Sequence, residues 1–178
     1  TMGATGALVV RHGKMHPAGE LLASANIDMS FQRAYVERFS RRNVWLANVR
    51  QAVQDQARTS EMLLPVSELV KSEFYRHFLQ PQNVLHTVAA CIQSDSHSTP
   101  ICVVFRSPRE GPFGTPHINL LTALTPHMRR ALQLRELTAE LTQAEQRERR
   151  RLAQLLHDDL QQLLIAAKFR TNALRAHT

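Results

Sequence analysis

The sequence predicts an α+β domain followed by a long C-terminal helical extension. Three observations predict it. Segments of strand character stand at Ala7–Arg11, Leu21–Ala25, Val84–Gln93 and Ile101–Arg106. Between the second and third of these, apolar residues recur at the spacing of helices. Beyond Gly111–Gly114 a helical pattern continues to Thr178, with Pro126 the only breaker.

Ala7–Arg11 follows a small, polar start, which suggests a preceding segment. Turn signals at Gly13 and Pro17–Gly19 lead into Leu21–Ala25. Asp28–Phe39 carries Phe31, Tyr35, Val36 and Phe39 at helical spacing. Asn43 is placed to cap a second helix with Val44, Trp45, Val49 and Val53. Pro65 starts a third, Pro65–Leu79, with Leu69, Val70, Phe74 and Phe78 on one side, and Pro81 stops it. The polar Ser94–Pro100 reads as a hairpin loop, and pairing symmetric about it sets Cys91 opposite Cys102. Such a pair would suit redox or metal chemistry. Two half-buried thiols is the plainer reading, because no further Cys or His stands at metal-ligand spacing. Thr115 and Pro116 form an N-cap and N1 pair for the last helix. Within it Leu134, Leu137, Leu141 and Ala144 step as a heptad seam, which Glu148 and Arg151 interrupt.

Of 178 residues, 43% are hydrophobic and 21% charged, enough to build a core. With 6 Gly and 8 Pro, collagen-like and low-complexity chains are excluded. Two cysteines exclude a disulfide scaffold. No apolar run approaches the ~20 residues of a membrane-spanning helix, and no secretory signal opens the chain, so the expected location is the cytoplasm. Lys and Arg number 22 against 15 Asp and Glu, a net charge of +7 with His neutral. The excess is scattered, densest at Arg41–Arg42, Arg129–Arg130 and Arg147–Arg151, and is not interleaved with aromatics. Nucleic acid is therefore not an expected partner.

Glu145–Asn172 is the segment richest in chemistry. On a helix Leu152, Leu160, Leu163, Ala167 and Leu174 fall within about 40° of Leu156, an apolar stripe suited to a dimer or bundle. His157 lies at the edge of that stripe, with Asp158 next in sequence and Gln162 on the polar face behind it. Histidine can present a neutral, nucleophilic imidazole near pH 7. A neighbouring carboxylate can orient the ring and leave the distal nitrogen to attack. Flanking Arg and Lys can stabilise phosphoryl oxygens. An ordinary exposed helical histidine fits the same pattern.

The run Arg149–Leu164 resembles the phosphoacceptor helix of sensor histidine kinases. It is most similar to the subfamily with the pattern E-R-x-R-[IL]-A-x-x-L-H-D-x-x-x-Q-x-L. Glu148, Arg149, Arg151, Leu152, Ala153, Leu156, His157, Asp158, Gln162 and Leu164 match in register. Gln161 departs where that family often has Gly, a position without a chemical role in the pattern. The resemblance implies that His157 is the phosphoacceptor and that Asp158 is the base assisting autophosphorylation. It gives Gln162 the task of positioning water when the helix dephosphorylates a partner receiver. It further implies a two-helix hairpin that dimerises into a four-helix bundle, with the return helix outside this chain. A response-regulator receiver domain is the implied partner. ATP and Mg²⁺ are expected only in the parent kinase: this chain shows no Asn-rich box, glycine-rich lid or P-loop, so no cofactor is expected in it and alone it should not consume ATP.

Residues 7–132 resemble, more loosely, the GAF/PAS-like sensor domain of bacterial regulators, LuxR-type transcription factors included. Ser72, Glu73, Phe74, Tyr75, Phe78 and Pro81 carry the resemblance, with Val88–Ala90 and the run Leu121, Leu124, Pro126, His127, Arg130, Ala131 and Leu132. It implies an antiparallel sheet packed on helices and feeding a signalling helix, and it leaves the ligand open. Tyr35, Phe39, Trp45, Phe74, Tyr75 and Phe78 are either pocket residues or plain core aromatics. His77, His86 and His127 lack any spacing that would suit haem. Pro126 before His127 marks an expected kink.

The expected organisation is a sensor domain over 1–132, a signalling linker over 133–146 and the start of a dimerisation and phosphoacceptor domain over 147–178. The expected function is the cytoplasmic, homodimeric sensor portion of a two-component histidine kinase. An unknown small-molecule signal would be relayed along the helix to His157, and phosphate from there to a response regulator. Two other readings stand beside it: the sensor of a LuxR-type transcriptional regulator, and a non-catalytic dimerising scaffold with an inert His157.

Overall fold

The computed structural model describes residues 3–13, 17–45, 56–93 and 98–175, with side chains as far as residue 164. The chain divides into two units, Thr1–Arg130 and Ala131–Thr178.

Period-two alternation builds the first unit. β1 (Gly6–Gly13) alternates buried and half-buried side chains along its whole length. It sits inside a five-stranded antiparallel sheet of order β2-β1-β5-β4-β3. The other strands are β2 (Glu20–Ala25), β3 (Ala57–Thr59), β4 (His86–Cys91) and β5 (Ser98–Arg106). Leu8 pairs with Val103, Val10 with Ile101, Thr87 with Phe105 and Ala89 with Val103. Directly paired residues share a face, so these apolar side chains and His12 line one side of the sheet.

Helical segments cover that side. α1 (Met29–Ala34) is capped by Asp28, whose Oδ1 accepts the Ser30 N–H at 2.7 Å. It runs on as a π-helical turn, Tyr35–Phe39, and a 3-10 turn, Ser40–Arg42. After β3 come α2 (Ser60–Leu63), α3 (Val66–Leu69), a second π-helical turn, Tyr75–Leu79, and a 3-10 turn, Gln80–Gln82. The single helix expected over Pro65–Leu79 is thus broken. The Ser72 hydroxyl donates to Leu69 O at 2.6 Å and accepts the Tyr75 N–H at 3.0 Å, closing one turn and opening the next. At the expected helix after Asn43, its Oδ1 accepts the Trp45 N–H at 3.0 Å. Residues 46–55, which would form that helix, lie outside the described residues.

The opposite face carries Val88, Ala90, Cys102 and Val104, all buried. Against it lies the beginning of α4 (Thr115–Arg175), which runs through Pro126 without interruption. The Ala57 N–H donates to Thr122 Oγ1 at 3.1 Å, and Arg129 Nε donates to Ile92 O at 2.9 Å. Leu121 and Thr125 are buried.

The cysteine pairing expected from the hairpin is corrected by the register. Cys91 stands opposite Ile101, and Cys102 opposite Ala90. The pair therefore points to opposite faces. The expected register is one residue out, and such a slip would turn one strand's whole apolar set off the core face. Both cysteines are free thiols. Burial pushes both up, Cys102 to about 11.

On the sheet's edge Glu61 meets His86 Nδ1 at 2.5 Å. Burial pushes the Glu61 carboxyl up, but hydrogen bonds from His86, its own backbone, Thr59 and Ser60 together hold it below the usual value. Among the described residues no helix is long and apolar enough to cross a membrane.

Candidate functional site

The sheet's core face and the aromatic residues above it do not close completely. Between them is a small cavity of about 50 Å³. Its roof is an aromatic cluster centred on Phe78, whose ring lies 4.4 Å from Phe31, 4.9 Å from Phe39, 5.7 Å from Tyr35 and 5.3 Å from Phe74. Both π-helical turns contribute walls, through Tyr35 and through Phe78 and Leu79. Among the described residues no Asp, Glu, Lys or Arg lines the space.

One end is polar. Tyr35 Oη lies 3.1 Å from His12 Nε2 and accepts the Asn43 side-chain amide at 3.0 Å. His12 is held there by its place on β1, where it continues the inward register of Leu8 and Val10. The turn before β2 passes closely over it: a Cβ on Gly19 (φ +92°) would stand 3.0 Å from the His12 ring and from Val10. Trp45 packs edge-on to Phe74 at 5.7 Å and is 5% exposed. Its Nε1–H is buried with no hydrogen-bond partner among the described residues.

Of the six aromatics singled out from sequence, Tyr35, Trp45, Phe74 and Phe78 line the cavity. Phe39 is core beside it, and Tyr75 is half-buried against the core. His12, Asn43 and Thr87 also line it and escaped the sequence reading. The inward alternation of β1 was the signal available for His12. His77 and His127 are exposed, and His86 is engaged by Glu61. Among the described residues no group of three or more His, Cys, Asp or Glu could hold a metal ion.

The second unit carries the other candidate site. His157, Asp158 and Gln162 are all exposed on α4. Successive helical residues point about 100° apart, and among the described residues Asp158 makes no hydrogen bond to the ring. The partner of His157 Nε2 is instead the side-chain amide of Gln161, at 2.9 Å. The one position set aside as chemically silent is the one that touches the imidazole. Along the same unit Leu134, Leu137, Leu141, Leu152, Leu156, Leu160 and Leu163 are each at least half exposed.

No protein-family model matches the sequence, and no curated protein matches it. Solved structures do. The chain is similar to the VqsR LBD domain from Pseudomonas aeruginosa, with TM-score 0.55 and 12% identity over 73% of this chain and 76% of that one. It is also similar to the GAF domain/HD domain protein from Geobacter sulfurreducens, with TM-score 0.51 and 14% identity over 75% of this chain and 83% of that one. At these identities the likeness is one of fold: the chain has the GAF-like α+β fold with a long C-terminal helix.

Proposed function

We propose that this chain is the sensor portion of a two-component histidine kinase, homodimeric through α4, with His157 as its phosphoacceptor. The observation that carries the reading is the in-register match of ten residues around His157. Exposure of His157 on a helix supports it, because the ring must reach both a nucleotide and a receiver. The GAF-like fold and its cavity support a sensing role for the first unit. In the reaction the imidazole Nε2 attacks the γ-phosphorus of ATP held by the parent kinase's ATP-binding domain. A P–N bond forms, ADP leaves, and Asp158 draws off the Nδ1 proton. The phosphoryl group then passes to a carboxylate of the receiver, and Gln162 positions water for the reverse task.

The test is made on the whole reading frame incubated with ATP and Mg²⁺. Acid-labile phosphate is expected on His157, and His157→Gln should abolish it. Acid-stable label, or label that survives the substitution, overturns the reading. The likeness to the VqsR LBD domain favours, as a second reading, the sensor of a LuxR-type regulator. Steeply salt-dependent DNA binding by the same protein would then be expected.

A further inference from the structure

The first turn of α4 is tied to the end of β5 through His117, and both nitrogens of its half-buried ring face donors. Nε2 lies 2.9 Å from Arg106 Nη2, and Nδ1 lies 3.2 Å from Gly114 N. A guanidinium and a backbone N–H can only donate. A neutral imidazole has one lone pair and answers one of them; an imidazolium has none and answers neither. The Arg106 contact is the shorter and is charge-assisted, so the lone pair belongs on Nε2. Arg106 cannot follow the ring if it moves. It is 7% exposed. Its Nε donates to Gly3 O at 2.9 Å and its Nη1 to Pro112 O at 3.4 Å. Its guanidinium lies 4.2 Å from the centre of the Phe113 ring.

Protonating the ring sets two cations side by side, and the groups around them do not answer the second charge. In the turn after β5, Glu110 Oε2 already accepts the Ser107 N–H at 2.7 Å, the Thr5 hydroxyl at 2.8 Å and the Ser107 hydroxyl at 2.9 Å. Those bonds hold its carboxyl below the usual value, so its charge is constant where histidine titrates. Arg109 in the same turn is a further cation. On β4, His86 stands opposite Arg106 and is engaged by Glu61. The segment Gly3–Thr5 carries no charge, and α4 has no acidic residue in its first turn and no titratable side chain from there to His127 and Arg129. The start of a helix is also the positive end of its dipole, which disfavours a cation. We propose that His117 is a proton-operated latch: the neutral ring holds the start of α4 to Arg106, and protonation releases it. The proton comes from solvent, and Arg106 keeps its charge throughout. The latch does not depend on the reading of His157.

The test is hydrogen exchange of the full chain from about pH 8 to about pH 5, the range in which histidine changes charge, corrected for the intrinsic pH dependence of exchange. Protection of the Ile118–Leu121 amides is expected to fall about tenfold or more at the acid end, the worth of a hydrogen bond to a charged group. β1 and β5 should stay protected. His117→Gln keeps an acceptor for Arg106 and does not titrate, so it should remove the pH dependence. His86→Gln, which removes the other histidine beside Arg106, should leave it in place. Equal protection of Ile118–Leu121 at the two ends of the range in the wild-type chain overturns the proposal, even if the variants fail to fold. Protection lost equally across β1 and β5 overturns it as well, because that is unfolding and not release. So does a pH dependence that persists undiminished in His117→Gln or vanishes in His86→Gln.

Discussion

Gln161 donates its side-chain amide to His157 Nε2 across one helical turn, at 2.9 Å. That nitrogen is the one the phosphoacceptor reading needs free. An amide N–H on Nε2 requires that atom to be the acceptor, so the ring proton sits on Nδ1. The contact thus holds the reactive tautomer and at the same time occupies its lone pair.

The two effects separate on substitution. Gln161→Ala should move ring protons from Nδ1 towards Nε2, seen in the ¹⁵N shifts of His157. On the proposed phosphoacceptor reading, it should change the rate of His157 phosphorylation in the whole reading frame by roughly three- to tenfold, the value of one hydrogen bond. A faster rate means the occupied lone pair dominates; a slower one means the tautomer does. An unchanged tautomer ratio together with an unchanged rate would show that the contact does not matter to the ring.

The exposed leucines of the second unit should mark the dimer. Leu137 and Leu141 are 56% and 71% exposed, and burying a leucine is worth roughly 1.5–3 kcal/mol. Leu137→Asp with Leu141→Asp should weaken self-association at least a hundredfold in sedimentation velocity, with the far-ultraviolet spectrum of the first unit kept. A wild-type chain that sediments as a monomer at high micromolar concentration would remove the homodimer from the proposal.

The two cysteines should behave as inert core. They face opposite sides of the sheet, so diamide should form no intramolecular disulfide, and thiol reagents near pH 8 should label the chain only on unfolding. Burial raises the Cys102 thiol from 9.0 to about 11. The folded state therefore holds its proton more tightly than the unfolded one. That contribution, roughly 2–3 kcal/mol, is complete below pH 9 and is lost as pH rises through 11. Cys102→Ala should flatten the alkaline limb of a stability-against-pH curve. An unchanged limb would mean that other groups set it.

By itself the sequence determined the elements that local rules control. Short apolar runs set off by turn and loop signals placed β1 and β5, helical spacing placed α1 and α4, and the residue types flanking His157 named the chemistry proposed for it. These signals are carried by neighbours a few positions apart, and the chain cannot express them otherwise without exposing apolar faces. Tertiary structure decided what depends on pairing between distant segments. The β4–β5 register, set by apolar side chains seeking one face, separated Cys91 from Cys102. Ser72 broke a helix that periodicity alone would have continued. The cavity exists because β1, β5 and two π-helical turns meet around it, and no spacing along the chain records that His12, Asn43 and Trp45 converge there. Gln161 lies between these extremes: its place one turn from His157 was legible, but the hydrogen bond to the ring depends on a rotamer, which sequence does not fix.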